Sequence, residues 1–137
     1  KLTIAGQPID LDCIVQPLYA VTAEDDHIAP WKQCYRIRKY VHVDAPVRFV
    51  MSTSGHILGI VNPPVNPPKR AYWIGEPERN DHWEHWFDRA EKRQGSWWED
   101  WCGWLGERCG ADVPAYPAAS RAFPALAEAP GTYVLER

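Results

Sequence analysis

Val47-Arg48-Phe49-Val50-Met51, followed by Ser54-Gly55-His56-Ile57, is the stretch that decides how this chain folds. The apolar run predicts a buried β-strand, and the glycine before the histidine predicts a loop at the end of that strand. Earlier in the chain, the apolar run 14–21 leads in the same way into the acidic run 24–26. Strands that each end in a polar loop are typical of a parallel α/β sheet.

The segment between the two strands predicts a short helix over residues 31–41, because Pro30 is well placed at a first helical position. A helix in this connection makes the two strands parallel, and the carboxyl ends of parallel strands lie at the same edge of a sheet. An acidic side chain and a histidine can therefore meet there. The spacing alone does not rank Glu24, Asp25 and Asp26 as the carboxylate that His56 would meet.

A carboxylate followed along the chain by a histidine is the second half of a nucleophile triad in the α/β-hydrolase order. The first half would be a nucleophile on a Gly-x-Nuc-x-Gly elbow, and the chain contains no such motif. The cysteines do not supply it, since none has a glycine on both sides; they are Cys13, Cys34, Cys102 and Cys109. The nucleophile is thus expected outside these residues.

The same stretches resemble the class I polyhydroxyalkanoate synthases, a bacterial enzyme family. The likeness lies in residues 25–31 and 48–64, and it continues through 69–73, 95–98 and 129–134. These motifs recur in the family's order. They cover nearly the whole chain, but only the C-terminal part of the family's sequence.

The resemblance implies that the chain is the C-terminal portion of an α/β-hydrolase fold. On this interpretation residues 1–77 form a strand–helix–strand core, 78–113 form tryptophan-rich helices, and 114–137 form an extended tail. In the family, the aspartate directly before His-Ile supports the histidine of Ser-Gly-His-Ile, which is the general base. Asp26 and His56 are therefore the predicted catalytic residues.

The implied reaction transfers a 3-hydroxyacyl group from a coenzyme A thioester to a growing polyester by a Cys-His-Asp triad. Because the cysteine of the family's elbow would lie upstream of Lys1, the 137 residues alone are expected to be inactive. No separate cofactor is expected, since coenzyme A is part of the substrate. The resemblance also implies a cytoplasmic acyltransferase at the surface of polyester granules, and a homodimer when full-length.

Composition and spacing argue against three further kinds of partner: nucleic acid, a membrane and a metal ion. The formal net charge is −3, and no long block of like charge indicates binding to nucleic acid. No apolar run is long enough to span a membrane. His82 and His85 have a spacing that can hold zinc, but a third ligand is not evident, so no metal site is predicted.

Two later stretches predict helices rich in tryptophan. One helical face carries four apolar residues at steps of three and four: Trp83, Trp86, Phe87 and Ala90. Ser96 and Glu99 fit a capping box that begins a second helix ending at Gly110. The spacing favours burial of the indoles against the sheet, and a polymer exit groove or a dimer contact are the alternatives.

Other local patterns give further expectations. Residues 2–11 predict an extended segment that turns at Gly6, and residues 132–135 predict a strand-like end. Cys102 and Cys109 are expected to be buried free thiols rather than a disulfide or a metal pair, which fits a reducing compartment.

Two other functions remain open at this point. A serine esterase or depolymerase of the same fold would share the carboxylate and the histidine. A non-catalytic module could instead bind a synthase or the granule surface through its aromatic helices.

Overall fold

The computed structural model describes residues 2–117 and 119–136. At the start, β1 (Thr3–Ile4) and β2 (Gln7–Pro8) form an antiparallel hairpin. The turn between them uses Gly6 at φ 77°, a left-handed conformation that glycine adopts without steric cost. The predicted turn at this glycine is confirmed.

The main sheet contains four strands within the described residues, in the order β3-β4-β5-β6. They are β3 (Leu18–Ala23), β4 (Val47–Ser52), β5 (Ala71–Gly75) and β6 (Glu91–Gln94). β3 and β4 are parallel, whereas β5 and β6 each pair antiparallel with the strand before them. The sheet is therefore mixed, and the α/β class predicted from the sequence is confirmed.

The last strand of the sheet was not predicted, because β6 consists only of Glu91, Lys92, Arg93 and Gln94. A strand at the edge of a sheet needs no apolar face, so neither alternation nor an apolar run marks it in the sequence. Its backbone completes the sheet by pairing Tyr72 of β5 with Arg93.

The connection between β3 and β4 contains two short helices rather than the single helix predicted over residues 31–41. They are α1 (Trp31–Cys34) and α2 (Ile37–Tyr40). Between them the backbone N–H of Arg36 donates to the carbonyl of Gln33 at 3.2 Å. This hydrogen bond joins residues three apart, as in a 3₁₀ helix, whereas an α-helical bond joins residues four apart. This local tightening separates the two turns of helix.

The tryptophan-rich stretches form α3 (Trp83–Arg89) and α4 (Trp97–Gly106). Ser96 caps the start of α4 as predicted, and its hydroxyl accepts a hydrogen bond from the Trp98 N–H at 3.0 Å. Within the described residues, no reciprocal bond from the Glu99 side chain completes the capping box. The helix ends four residues before the expected Gly110.

Successive side chains of a strand point to opposite faces of the sheet, and a helix packs on each face. On one face Phe49 and Met51 pack against Trp86 of α3 and against α1. On the other face Val50 packs against Trp97 of α4. Trp86 and Trp97 are only 1% and 8% exposed, so the expected burial against the sheet is confirmed for these two indoles. It is wrong for Trp101, which is 36% exposed on α4.

The end of the chain differs from its predicted form. Tyr133–Leu135 is a 3₁₀ helix rather than a strand. Tyr133 and Leu135 are 71% and 78% exposed, and no strand of the described chain lies beside them. A strand without a partner leaves its backbone groups unpaired, which explains why the apolar pattern alone was misleading here.

None of the helices within residues 2–117 and 119–136 has the length and apolarity needed to cross a bilayer.

The buried tryptophan of α3 gives a stability prediction. Trp86→Ala removes an indole that contacts Phe49, Trp31 and Tyr35 and should lower the free energy of unfolding by about 3–5 kcal/mol. The matched change Trp101→Ala, at a residue that is 36% exposed, should cost about 1 kcal/mol or less. Urea unfolding of the two variants measures both, and equal losses would contradict the described core.

Candidate active site

The acidic run after β3 contains one buried carboxylate. Glu24 and Asp25 are exposed, whereas Asp26 is 8% exposed. The backbone N–H groups of Ile28 and Ala29 donate to Asp26 Oδ1 at 2.9 and 2.8 Å. An aspartate that accepts from the backbone two and three residues ahead forms a local turn, and this turn fixes the carboxylate at the end of β3.

The second oxygen of this carboxylate meets the predicted histidine. His56 Nδ1 lies 2.7 Å from Asp26 Oδ2, and the two side chains are 45% and 5% exposed. Because an ionised carboxylate only accepts hydrogen bonds, Nδ1 carries the proton and donates a hydrogen bond to Asp26 Oδ2. Nε2 is then left with a free lone pair, which is the arrangement a general base requires.

The hydrogen bonds to Asp26 favour its ionised form. The Ala29 N–H, the His56 ring and the Ile28 N–H hold the pKa of the Asp26 carboxyl below its ordinary value, against the opposing effect of burial. The carboxylate is therefore charged at neutral pH and can stabilise a proton on the histidine ring.

Backbone hydrogen bonds join the two loops that carry these residues. The Glu24 N–H donates to the Ser52 carbonyl at 2.8 Å, and the Asp25 N–H donates to the Ser54 carbonyl at 3.1 Å. Ser54 has φ 85°, a conformation that costs a residue with a side chain about 1–3 kcal/mol. The strained residue thus lies two positions before His56, where the chain turns towards the carboxylate.

The histidine turn, residues 55–62, packs closely against the end of β3. A Cβ atom built on Gly59 would lie 2.5 Å from the Ala23 Cβ and 3.0 Å from the Gly55 carbonyl oxygen. Carbon atoms do not approach this closely without a shift of the backbone, so glycine is required at position 59. The space around Gly55 is more open, since its nearest atom, the Asp25 carbonyl oxygen, lies at 3.8 Å.

The thiols do not provide a nucleophile for this pair. All four cysteines are free, and no hydrogen bond joins any of them to His56 in the described chain. Burial, together with the charge of Asp26, raises the pKa of the Cys34 thiol, whereas an attacking thiol needs a lowered pKa. The expected burial of Cys102 and Cys109 is wrong: both are exposed, because α4 packs on the sheet mainly through its first turn.

The two histidines of α3 and its cap bind separate carboxylates. His82 Nδ1 lies 3.1 Å from Glu84, and His85 Nδ1 lies 3.1 Å from Asp81. Within residues 2–117 and 119–136, no group of three or more histidine, cysteine, aspartate or glutamate side chains is placed to hold a metal ion.

The structure thus brings Asp26 and His56 together and leaves Glu24 and Asp25 apart from the histidine. The amide donors of Ile28 and Ala29 were not predicted. A signal was present, since an aspartate at the start of an irregular segment commonly accepts from nearby backbone N–H groups. Only the fold shows that this occurs at Asp26.

No protein-family model matches the chain. The chain is 38% identical to poly(3-hydroxyalkanoate) polymerase 2 of Ectopseudomonas oleovorans over 137 residues, which is 99% of the chain. It is 38% identical over 138 residues to the poly(3-hydroxyalkanoate) polymerase subunit PhaC of Cupriavidus necator, and 36% identical over 137 residues to that of Rhizobium etli.

These matches cover 98% and 100% of this chain for the Cupriavidus and Rhizobium proteins. The chain spans only 24%, 22% and 21% of the length of the three relatives, in the order in which they are named above. The similarity confirms the resemblance to this family that the sequence motifs predicted.

The close approach at Gly59 predicts a difference between two glycines of the histidine turn. Gly59→Ala should lower the free energy of unfolding by about 1–3 kcal/mol, because the added methyl group overlaps Ala23. Gly55→Ala adds the same methyl group with ordinary contacts and serves as the matched control. Urea unfolding would contradict the described packing if Gly59→Ala were tolerated as well as Gly55→Ala.

The lowered pKa of Asp26 predicts how stability depends on pH. A carboxyl with a lowered pKa in the folded state stabilises the fold above its ordinary pKa, and this contribution is lost as pH falls through the folded pKa. Asp26→Asn keeps the size of the side chain and removes its charge. The wild type should therefore exceed this variant in stability near pH 7, and the difference should shrink below about pH 4.

Urea midpoints measured at neutral and acidic pH test this dependence. Asp25→Asn, which removes a charge from the exposed neighbour, controls for net charge. A stability difference between wild type and Asp26→Asn that stayed constant across this range would contradict the hydrogen-bonded, ionised carboxylate.

Proposed function

We propose that this chain supplies the carboxylate and the general base of a class I polyhydroxyalkanoate synthase. Such an enzyme transfers 3-hydroxyacyl groups from coenzyme A thioesters to a growing polyester. The observation that carries the proposal is the 2.7 Å contact between His56 Nδ1 and Asp26 Oδ2. It occurs in a chain that is similar over 99% of its length to a poly(3-hydroxyalkanoate) polymerase.

On this proposal the fold is the C-terminal portion of an α/β-hydrolase domain. The parallel pair β3–β4 supports it, because the carboxylate and the histidine follow the carboxyl ends of these two strands. The division into a core (1–77), tryptophan-rich helices (78–113) and a tail (114–137) is part of the same proposal. β3 lies at one edge of the described sheet, so a further strand carrying the nucleophile could pair with it.

The first chemical step would form an acyl-enzyme. His56 Nε2 would take the proton of a cysteine thiol, and the thiolate would attack the thioester carbonyl carbon. Collapse of the tetrahedral intermediate would break the bond to the sulfur of coenzyme A, which would leave with the proton held by His56. Asp26 would keep Nδ1 protonated and would stabilise the positive charge on the ring.

The second step would lengthen the polymer. His56 Nε2 would take a proton from the hydroxyl group of a 3-hydroxyacyl unit, and the oxygen would attack the acyl-enzyme carbonyl. An ester bond would form, the bond to the cysteine sulfur would break, and the proton would return to that sulfur. On this proposal neither step needs a separate cofactor, because coenzyme A is part of the thioester substrate.

The surroundings of the pair suit an acyl chain. Ile57 and Leu58 follow His56 directly, and their exposed fractions are 68% and 54%. Ile28, two residues after Asp26, is 66% exposed. Aliphatic side chains exposed next to a general base offer an apolar surface to the hydrocarbon part of a substrate. Binding at polyester granules, dimerisation and a cytoplasmic location belong to the proposal for the full-length enzyme.

A serine esterase or depolymerase would use the same carboxylate and histidine, and the geometry of the pair does not distinguish the two. The names of the relatives favour the synthase. For a non-catalytic binding module, the burial of Trp86 and Trp97 in the core is unfavourable, because it removes these indoles from the surface.

The proposal predicts that activity depends on both residues of the pair. In the polypeptide encoded by the complete reading frame that contains these residues, His56→Gln should reduce coenzyme A release from 3-hydroxybutyryl coenzyme A by about 10²–10⁴-fold. Asp26→Asn should reduce it by a similar factor, because the ring then loses its orientation and charge stabilisation. His82→Gln, at a histidine bound to Glu84, is the matched control and should retain activity.

Thiol release and polymer yield should be measured together, with the 137 residues alone as an inactive control. Full activity of His56→Gln would overturn the proposal. Hydrolysis of polyester by the wild type without use of the thioester would favour the esterase, and binding of granules with neither activity would favour the binding module.

A further inference from the structure

Two indole N–H groups at the start of α4 reach the histidine turn. Trp97 Nε1 donates to the Gly59 carbonyl at 3.1 Å, and Trp98 Nε1 donates to the Ile60 carbonyl at 3.0 Å. Two consecutive tryptophans thus bind two consecutive carbonyls, 38 residues away in sequence. We call Trp97 and Trp98 the indole clamp.

A third donor extends this contact. The Ser96 hydroxyl donates to the Asn62 carbonyl while it caps α4 by accepting from the Trp98 N–H. The Asn62 side-chain amide in turn donates to the Ser52 hydroxyl at 3.5 Å, at the end of β4. The start of α4 therefore binds the later part of the histidine turn, and the turn is tied to the strand that leads into it.

The opposite side of the turn rests on β3, through the close approach of Gly59 to Ala23 described above. Within the turn, the Gly59 N–H donates to the Gly55 carbonyl at 2.8 Å, and the Val61 N–H donates to the Ile57 carbonyl at 2.7 Å. The segment that carries His56 is thus held between the end of β3 and the start of α4.

We propose that Trp97 and Trp98 are positioning residues: through the carbonyls of Gly59 and Ile60 they fix the histidine turn and so keep His56 on Asp26. The inference deepens the proposed function and rests on it for the catalytic consequence. Its structural part, the hold on the turn, does not depend on which reaction the site performs.

The indole ring and the indole N–H have separable roles. The Trp97 ring packs against the sheet with Val50, Tyr72 and Ile74, and an aromatic ring of another kind could fill much of that space. Only the N–H makes the bond to the turn. Phenylalanine keeps an aromatic side chain and removes the donor, so Trp→Phe separates positioning from packing.

Without the Trp97 N–H, the Gly59 carbonyl has no other hydrogen bond to the described chain, whereas without the Trp98 N–H the Ile60 carbonyl keeps the Asn62 N–H at 3.0 Å. The loss of one such bond changes a local equilibrium by about fivefold. In the double variant Trp97→Phe/Trp98→Phe, the turn should open at least about tenfold more often. Since His56 lies in this turn, its ring should also be held less accurately on Asp26 while the turn is closed.

The first test is independent of activity. Hydrogen exchange followed by mass spectrometry, on the polypeptide of the complete reading frame, should show exchange of a peptide covering 57–62 at least about tenfold faster in the double variant. Peptides from β4 should exchange as in the wild type. Trp101→Phe is the matched control, because Trp101 belongs to the same helix and its N–H has no hydrogen bond to the described chain.

The second test measures catalysis in the same protein. The double variant should lower kcat for coenzyme A release about tenfold, because a displacement of the general base by about 1 Å is enough to slow the chemical step. KM is measured in the same assays, since Ile57 and Leu58 of the same turn are the proposed acyl surface. Trp101→Phe should leave both constants within twofold of the wild type.

The outcomes separate this inference from the proposed function. Unchanged exchange over 57–62 in the double variant would overturn the clamp, whatever the enzyme does. Faster exchange in β4 as well as the turn would also overturn it, since that pattern shows a general loss of packing. Faster exchange confined to the turn, with kcat unchanged, would overturn the positioning of His56. If the wild type and His56→Gln are equally active on the thioester, the proposed function fails, and the exchange result still decides the clamp.

Discussion

The parallel pairing of β3 with β4 is the constraint on which the candidate site depends. Their register aligns Ala23 with Ser52, the last residues of the two strands. The chain leaves both strands at the same edge of the sheet, and the next few residues on each side carry Asp26 and His56. Antiparallel strands would have placed the two loops at opposite ends. The hydrogen bond between Asp26 and His56, which are 30 residues apart in sequence, therefore depends directly on the parallel direction of the two strands.

The buried Asp26 carboxylate also needs hydrogen-bond donors that replace the water it loses on folding. Asp26 loses contact with water, and a buried charge without partners is costly. Three hydrogen bonds replace that water: two from backbone N–H groups to one oxygen and one from the histidine to the other. The carboxylate therefore has hydrogen-bond donors on both oxygens within the chain itself. The histidine, in contrast, keeps one nitrogen available.

The tryptophans have more than one structural role. Trp86 fills the core beneath α3, where its size matters and its N–H has no partner within the described residues. Trp97 and Trp98 combine packing with hydrogen bonds to the backbone of the histidine turn. Trp101 is exposed on the same helix. Composition and helical spacing do not distinguish these positions. Spacing indicates which face of a helix a ring lies on, but neither indicates the acceptor of the indole N–H.

The sequence by itself determined the strands that precede the two loops, the turn at Gly6, the start of α4 at Ser96, and the candidate pair Asp26 and His56 through a family resemblance. These features depend on apolar runs, caps and motifs that are local in the chain. The sequence did not predict β6, because a polar edge strand is defined only by the strand it pairs with. It predicted a strand at 132–135, where no partner exists in the described chain.

Only the tertiary structure decided which backbone N–H groups bind Asp26, which glycine allows the loop to approach β3, and which tryptophans bind the histidine turn. The last two depend on distances between segments far apart in sequence. Such distances follow from the packing of the whole sheet and its helices, so no local pattern of residues contains them.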